Sequence, residues 1–223
     1  MALSAAAQTP PMHYPFPVGM PPGVVGQQQL GRGGPIPGYY QPVEITAPRD
    51  AQIALAENGG FSRSQGSVVK AGFLVGQVYR VSVHNLAFNA GMEVYPTIEV
   101  IDRLYTPVGQ EWRFPIKIEL TQDDLQLALD GKFVTRVIYL EDPERAIPAA
   151  SRPRDQAWFE VAPGRDPLAV ADVLGRPVAI VRMGGRVPDM SQGPDARFLF
   201  GSPPYLTLPA VAAAPANPQG TRQ

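Results

Sequence analysis

Phe114 to Leu140, FPIKIELTQDDLQLALDGKFVTRVIYL, constrains the fold of this chain more than any other stretch, because strand, helix and strand follow one another with almost no connecting residues. Phe114, Ile116, Ile118 and Leu120 alternate with Pro115, Lys117 and Glu119, the period of two that gives a strand one buried and one wetted face. Thr121 is placed to cap a helix, with Asp124 where a capping box wants an acid and Asp123 in the positive first turn. Gly131 ends that helix by supplying a left-handed residue. Phe133 to Leu140 is β-branched, aromatic and apolar on both faces, which predicts a central strand rather than an edge.

The rest of the chain reads mainly as strands. Val43 to Thr46 and Ala51 to Ala56 flank a turn at Pro48 to Asp50, and Val68 to Asn85 is apolar with Gly72 and Gly76 as bends or bulges. Within it Tyr79, Val81 and Val83 face the core, and Arg80, Ser82 and His84 face water. Val94 to Asp102 pairs back as the second arm of a hairpin. After a loop of about 16 residues containing three prolines, AWFEV at 157 to 161 predicts another strand. Asp166 then caps a helix that has Pro167 in its first turn and Gly175 at its end, and Pro177 to Met183 is again a strand. Strand end, capped helix, terminal glycine and Val-rich strand thus occur twice, the pattern an internal duplication would leave.

Proline marks the ends of the chain. There are 26 prolines where an average chain of 223 residues carries about 11, and ten of them lie in residues 1 to 48 together with seven glycines. Residues 1 to 40 are therefore expected to be an extended Pro/Gly-rich arm, 41 to 186 a β-rich domain, and 187 to 223 a Gly/Pro/Ala-rich tail. The arm is not hydrophilic, since Met12, Tyr14, Phe16, Val18 and Met20 place an apolar group at every second residue. Laid on a neighbouring subunit or a sheet edge, that alternation buries one face. Tyr205, Leu206 and Leu208 give the tail the means to dock as well.

A net charge of −1 without basic clusters argues against nucleic acid or an anionic membrane as the general partner. No apolar run reaches the roughly 18 residues of a membrane-spanning helix, and MALSAAAQTPP lacks the basic start and apolar length of a signal peptide. Without cysteine, disulfides, thiolate metal sites and a cysteine nucleophile are all excluded.

Candidate site residues are few. Phosphate-binding, dinucleotide, zinc-protease and nucleophile-elbow patterns are absent, so neither a catalytic set, a cofactor nor a metal is expected. His13 lies in the arm and His84 on a wetted strand face. Glu93, Glu99 and Asp102 are acids of the kind a hydrolase pairs, here on exposed strand faces, and Glu141, Asp142 and Glu144 are the nearest approach to a calcium loop. Tyr95, Tyr105, Trp112, Tyr139 and Trp158, with Arg103, Arg113 and Arg136, could build a sugar-stacking platform or an interface. The residues singled out for interaction are Tyr14, Phe16, Tyr39, Tyr40, Trp112 and Trp158.

At YRVSVHNL, EVYPTIEVIDRLYTP, FPIKIELTQDDLQLALDGKFVTRVIYLEDP and PGRDPLAVADVLGRPVAIVRMGG, roughly Gln41 to Arg186, the chain resembles a family of envelope-associated proteins of bacteria with compartmented envelopes. That family has no assigned activity, so the resemblance implies an exported structural or assembly-forming protein and no site residues. The combined expectation is a mainly β domain, a sandwich or partly closed barrel with two short helices in its connections. Functionally it is a non-enzymatic assembly subunit of the cell envelope or surface, whose partners are copies of itself or a larger envelope complex. The alternative is a carbohydrate- or peptidoglycan-binding module, with a carboxylate hydrolase third.

Overall fold

A computed structural model describes residues 17–144, 156, 158–189, 191 and 195–207. Among the described residues ten strands form two sheets, with no closed barrel. The smaller has four strands in the order β10 (Tyr205–Thr207), β4 (Val68–Leu74), β1 (Tyr40–Thr46) and β7 (Ile116–Glu119). The larger has six, in the order β3 (Gly60–Phe61), β2 (Gln52–Glu57), β5 (Val78–His84), β6 (Thr97–Val100), β9 (Gly175–Met183) and β8 (Val134–Glu141). All pairings are antiparallel except β1 with β7.

The chain passes from one sheet to the other at Ala47 to Ala51 and again at Val75 to Gln77, so both sheets contribute to one core. Ile45 and Phe73 come from the small sheet, and Leu55, Tyr79, Val81, Ile98 and Val181 from the large one. Each such side chain removed from water contributes on the order of 1.5–3 kcal/mol. Phe73 and Tyr79 stack at 3.8 Å between centroids, joining the sheets. The Tyr79 hydroxyl accepts from the Leu74 amide at 2.9 Å and donates to Pro204 O at 2.8 Å. Burial pushes this phenol well above its ordinary pKa.

The stretch from 114 to 140 forms strand, helix and strand where the pattern placed them. Thr121 Oγ1 accepts from the Asp124 amide at 3.1 Å and opens α2 (Gln122–Leu129), and Gly131 turns the chain at φ +78°. The Asp124 carboxylate does not close a capping box. It takes Arg136 of β8 in a two-pronged pair at 2.6 and 3.1 Å, tying helix to strand. Asp166 caps α3 (Pro167–Leu174) by accepting from the Leu168 amide at 3.1 Å.

Several expectations change. Among the described residues there are three α-helices and not two, because residues of the supposed arm form α1 (Val24–Gly31), with Val25 buried. Val18 to Met20 lie in a turn, with Met20 N–H donating to Pro17 O at 3.1 Å. β8 is an edge strand, hydrogen-bonded only to β9 among the described residues, because its apolar character serves α2 and α3 rather than a second neighbour. Residues 158–161 form no strand, so the second strand-helix-strand unit lacks its first member. Gly72 sits in regular pairing with Pro42 and Leu206, and its missing Cβ leaves room for the Trp112 ring, whereas Gly76 does turn the chain at φ +83°. Tyr205 to Thr207 do dock, as β10; Leu208 lies outside the described residues.

Candidate functional site

The face of the six-stranded sheet turned away from the core carries Arg80 and Ser82 of β5, Thr97 and Glu99 of β6, and Ile180 and Arg182 of β9. Arg80, Ser82 and Glu99 read from the sequence as wetted, yet all six side chains are buried. Two distant pieces of chain cover it. From the N-terminal side, Val25 of α1 packs with Ile101, Leu168 and Ile180, and Val18 packs against them. From the C-terminal side, Phe198 and Leu199 pack with Ala56 and Tyr95.

Charge fixes the first cover. Glu99, with no exposed surface, accepts from the Gly26 amide at 2.8 Å through Oε1 and from Arg182 Nη1 at 2.7 Å through Oε2. A buried carboxylate needs such partners, since desolvation without them costs several kcal/mol. Arg182 also donates to Val18 O at 3.3 Å, and the Val18 amide donates to Asp166 at 3.1 Å. Helix α1 approaches closely because two glycines meet: a Cβ on Gly26 would lie 2.9 Å from Gly76 Cα, and one on Gly76 only 2.2 Å from Leu30 Cδ1.

Between this cover and the sheet lies a cleft of about 480 Å³. Among the described residues four cations line it, Arg80, Lys132, Arg182 and Arg186, and no carboxylate does. Arg80 is 6% exposed and donates to the Phe198 carbonyl at 2.9 Å and the Tyr95 carbonyl at 2.7 Å. Its guanidinium lies 4.4 Å from the Phe198 ring centre and 5.0 Å from that of Phe200. Burial, then the nearby Arg186 charge, brings its pKa down to about 10. At the cleft wall the Tyr95 hydroxyl donates to Glu93, and burial followed by this contact raises its pKa.

The acids therefore do not form an exposed cluster. Glu99 and Asp102 are both buried and ion-paired, Asp102 with Arg176, whose Nη1 also donates to Arg103 O at 2.9 Å. Asp142 accepts from the Glu144 amide at 3.0 Å, and among the described residues no group of three or more acids or histidines is arranged to hold a metal. His84 ends β5 half-buried, 3.1 Å from Ser64 Oγ.

The aromatic residues separate into different settings. Tyr39 packs against the core beneath Arg103, and Tyr40 and Trp112 border Gly72, all three half-buried in their own fold. Tyr105 lies between Arg103 and Arg176, at 4.4 and 5.0 Å. Trp158 is 60% exposed beside β8, with Arg136 4.6 Å from its ring centre. Tyr14, Phe16 and His13 lie outside the described residues. Sequence reasoning missed the cleft, because its four cations are scattered from 80 to 186 and only strand register brings Thr97 opposite Arg182. Among the described residues no helix is long and apolar enough to cross a membrane. Comparisons of the chain with protein-family models, with curated proteins and with solved structures found no match.

Proposed function

We propose that the protein is a non-enzymatic structural or assembly subunit of a bacterial cell-envelope or surface complex, in which the first sixteen residues of one copy lie along the β8 edge of the next. The observation that supports this reading is β8 itself. It is eight residues long, five of them apolar or aromatic, and hydrogen-bonded on one side among the described residues. Leu140 within it, and Phe133, Trp158 and Phe159 beside it, carry exposed apolar surface. An edge of this kind is a template for a further strand.

Met12, Tyr14 and Phe16 have the alternation such a strand needs. The root of the arm is held at Val18 by Asp166 and Arg182, so the preceding residues start from a fixed point. Sixteen extended residues reach about 50 Å, enough to span to a neighbour. The exported location and the envelope complex rest on the family resemblance alone.

Light scattering after size exclusion tests the proposal on the full chain, on a variant lacking residues 1–16, and on Leu140→Lys. The cut belongs at 16 and not at 40, because removing α1 would strip Glu99 of the Gly26 amide. A defined oligomer from the full chain that falls to monomer in both variants, with unchanged circular dichroism, is the expected result. Monomers throughout, or an oligomer indifferent to both changes, would remove the arm from the account.

A further inference from the structure

The cationic cleft lies at the root of the arm, and its composition calls for an explanation of its own. The whole chain carries a net charge of −1, yet four cations and no carboxylate line this one cavity. Glu99 answers only Arg182, and its second oxygen is taken by the Gly26 amide. Arg80 has two carbonyls and two rings around it and no carboxylate partner among the described residues. Such surroundings hold a guanidinium in place without neutralising it, which is unfavourable for a buried charge.

A second donor is also left over. Arg182 is 4% exposed, and its Nε finds no hydrogen-bond partner. Buried donors are nearly always satisfied, so this Nε has capacity for one more acceptor. The chain has little left with which to fill the role, because Asp155 is the single acidic residue outside the described ones.

The remaining walls are apolar. Met20, Pro21 and Pro22 of the N-terminal segment line the cleft together with Tyr95, Phe133 and Phe200. A volume of about 480 Å³ with apolar walls and a few convergent polar groups is the ordinary description of a small-molecule site. We propose that this cleft binds a small organic anion, a carboxylate or phosphate monoester carried on an apolar or aromatic body. The acid group meets Arg80 and Arg182, Lys132 and Arg186 close over it from the exposed rim, and the body lies against the aromatic wall. Guanidinium groups suit either acid, because both offer paired oxygens.

Isothermal titration of the full chain with phenyl phosphate, phenylacetate and neutral benzyl alcohol tests this. One or both acids should bind saturably at one site per chain, and benzyl alcohol should not. The stronger of the two acids identifies the preferred head group, and inorganic phosphate alone should bind more weakly than phenyl phosphate. The double variant Lys132→Gln, Arg186→Gln changes only exposed residues, so it should keep the fold and weaken binding of the acid about tenfold or more. Arg80→Met should abolish binding; should it fail to fold, the rim variant decides. No saturable binding of either acid up to about 10 mM, equal binding of benzyl alcohol, or undiminished binding by the rim variant would each overturn the proposal.

Discussion

The two faces of the six-stranded sheet are both buried, but they are buried by different means. The inner face meets the small sheet through Leu55, Tyr79, Val81, Ile98 and Val181, and its burial is mainly apolar, with the Tyr79 hydroxyl satisfied by backbone groups. The outer face presents Arg80, Thr97, Glu99 and Arg182, and it is covered by α1 and by the turn at Phe198, the two ends of the described chain. Alternation along one strand serves both faces. Ile98 and Glu99 are neighbours in β6, each without exposed surface, and one packs while the other pairs. A polar position in an alternating strand is thus not necessarily a wet one, and a cover made of distant segments can be specified by ion pairs and backbone donors.

Substitution at these two neighbours should have the largest effect. Glu99→Ala leaves Arg182 buried without its counter-charge and frees the Gly26 amide, and should destabilise by about 3–5 kcal/mol in urea denaturation. Ile98→Ala should cost a comparable 2–5 kcal/mol or so by opening a cavity. The faces then separate in a double variant. Glu99→Leu with Arg182→Met should recover much of the loss, because an apolar pair can replace a buried ion pair, whereas no polar residue at Ile98 should be tolerated. If the double variant is as unstable as Glu99→Ala, the outer face depends on the charge itself.

A smaller effect is expected where the cover meets the sheet. Gly76→Ala places a Cβ 2.2 Å from Leu30 Cδ1 at a left-handed residue, and should cost about 1–3 kcal/mol. Hydrogen exchange should show the loss first in α1 amides; protection in α1 unchanged from the wild type would mean that the helix is not held at this contact.

The smallest change concerns the inner face. Tyr79→Phe removes the bonds to the Leu74 amide and Pro204 carbonyl, at a cost of about 1–2 kcal/mol. It should also alter the response to alkali. The unfolded phenol ionises near 10, and the folded one later because burial raises it. Above pH 10 the unfolded state therefore holds fewer protons, and stability falls as pH rises. The wild type should lose more stability than Tyr79→Phe between about pH 9 and pH 11. Equal losses would show that Tyr79 ionises no later in the fold.

How much of this could be read from the sequence depends on how local each cause is. Thr121 and Asp166 cap helices through amides two or three residues away, so both caps were legible. The inner-face alternation of Ile116 and Ile118 was legible for the same reason. The status of β8 was not, because Phe133 to Leu140 has the same apolar run whether its second side meets a strand or the flank of a helix. The candidate cleft was illegible too. Arg80 and Glu99 look like wetted residues, and nothing local marks Arg182, until α1 and Phe198 are placed over them.

By itself the sequence determined the class of the fold, the helix caps and the inner core, since those follow from side-chain period and from contacts a few residues apart. Only the tertiary structure decided which polar face is dry, that β8 is an edge and that four cations share one cleft. Those outcomes depend on contacts between segments separated by 73 residues, as for Gly26 and Glu99, or by 164, as for Val18 and Arg182. No local propensity records which distant segment will remove a given side chain from water.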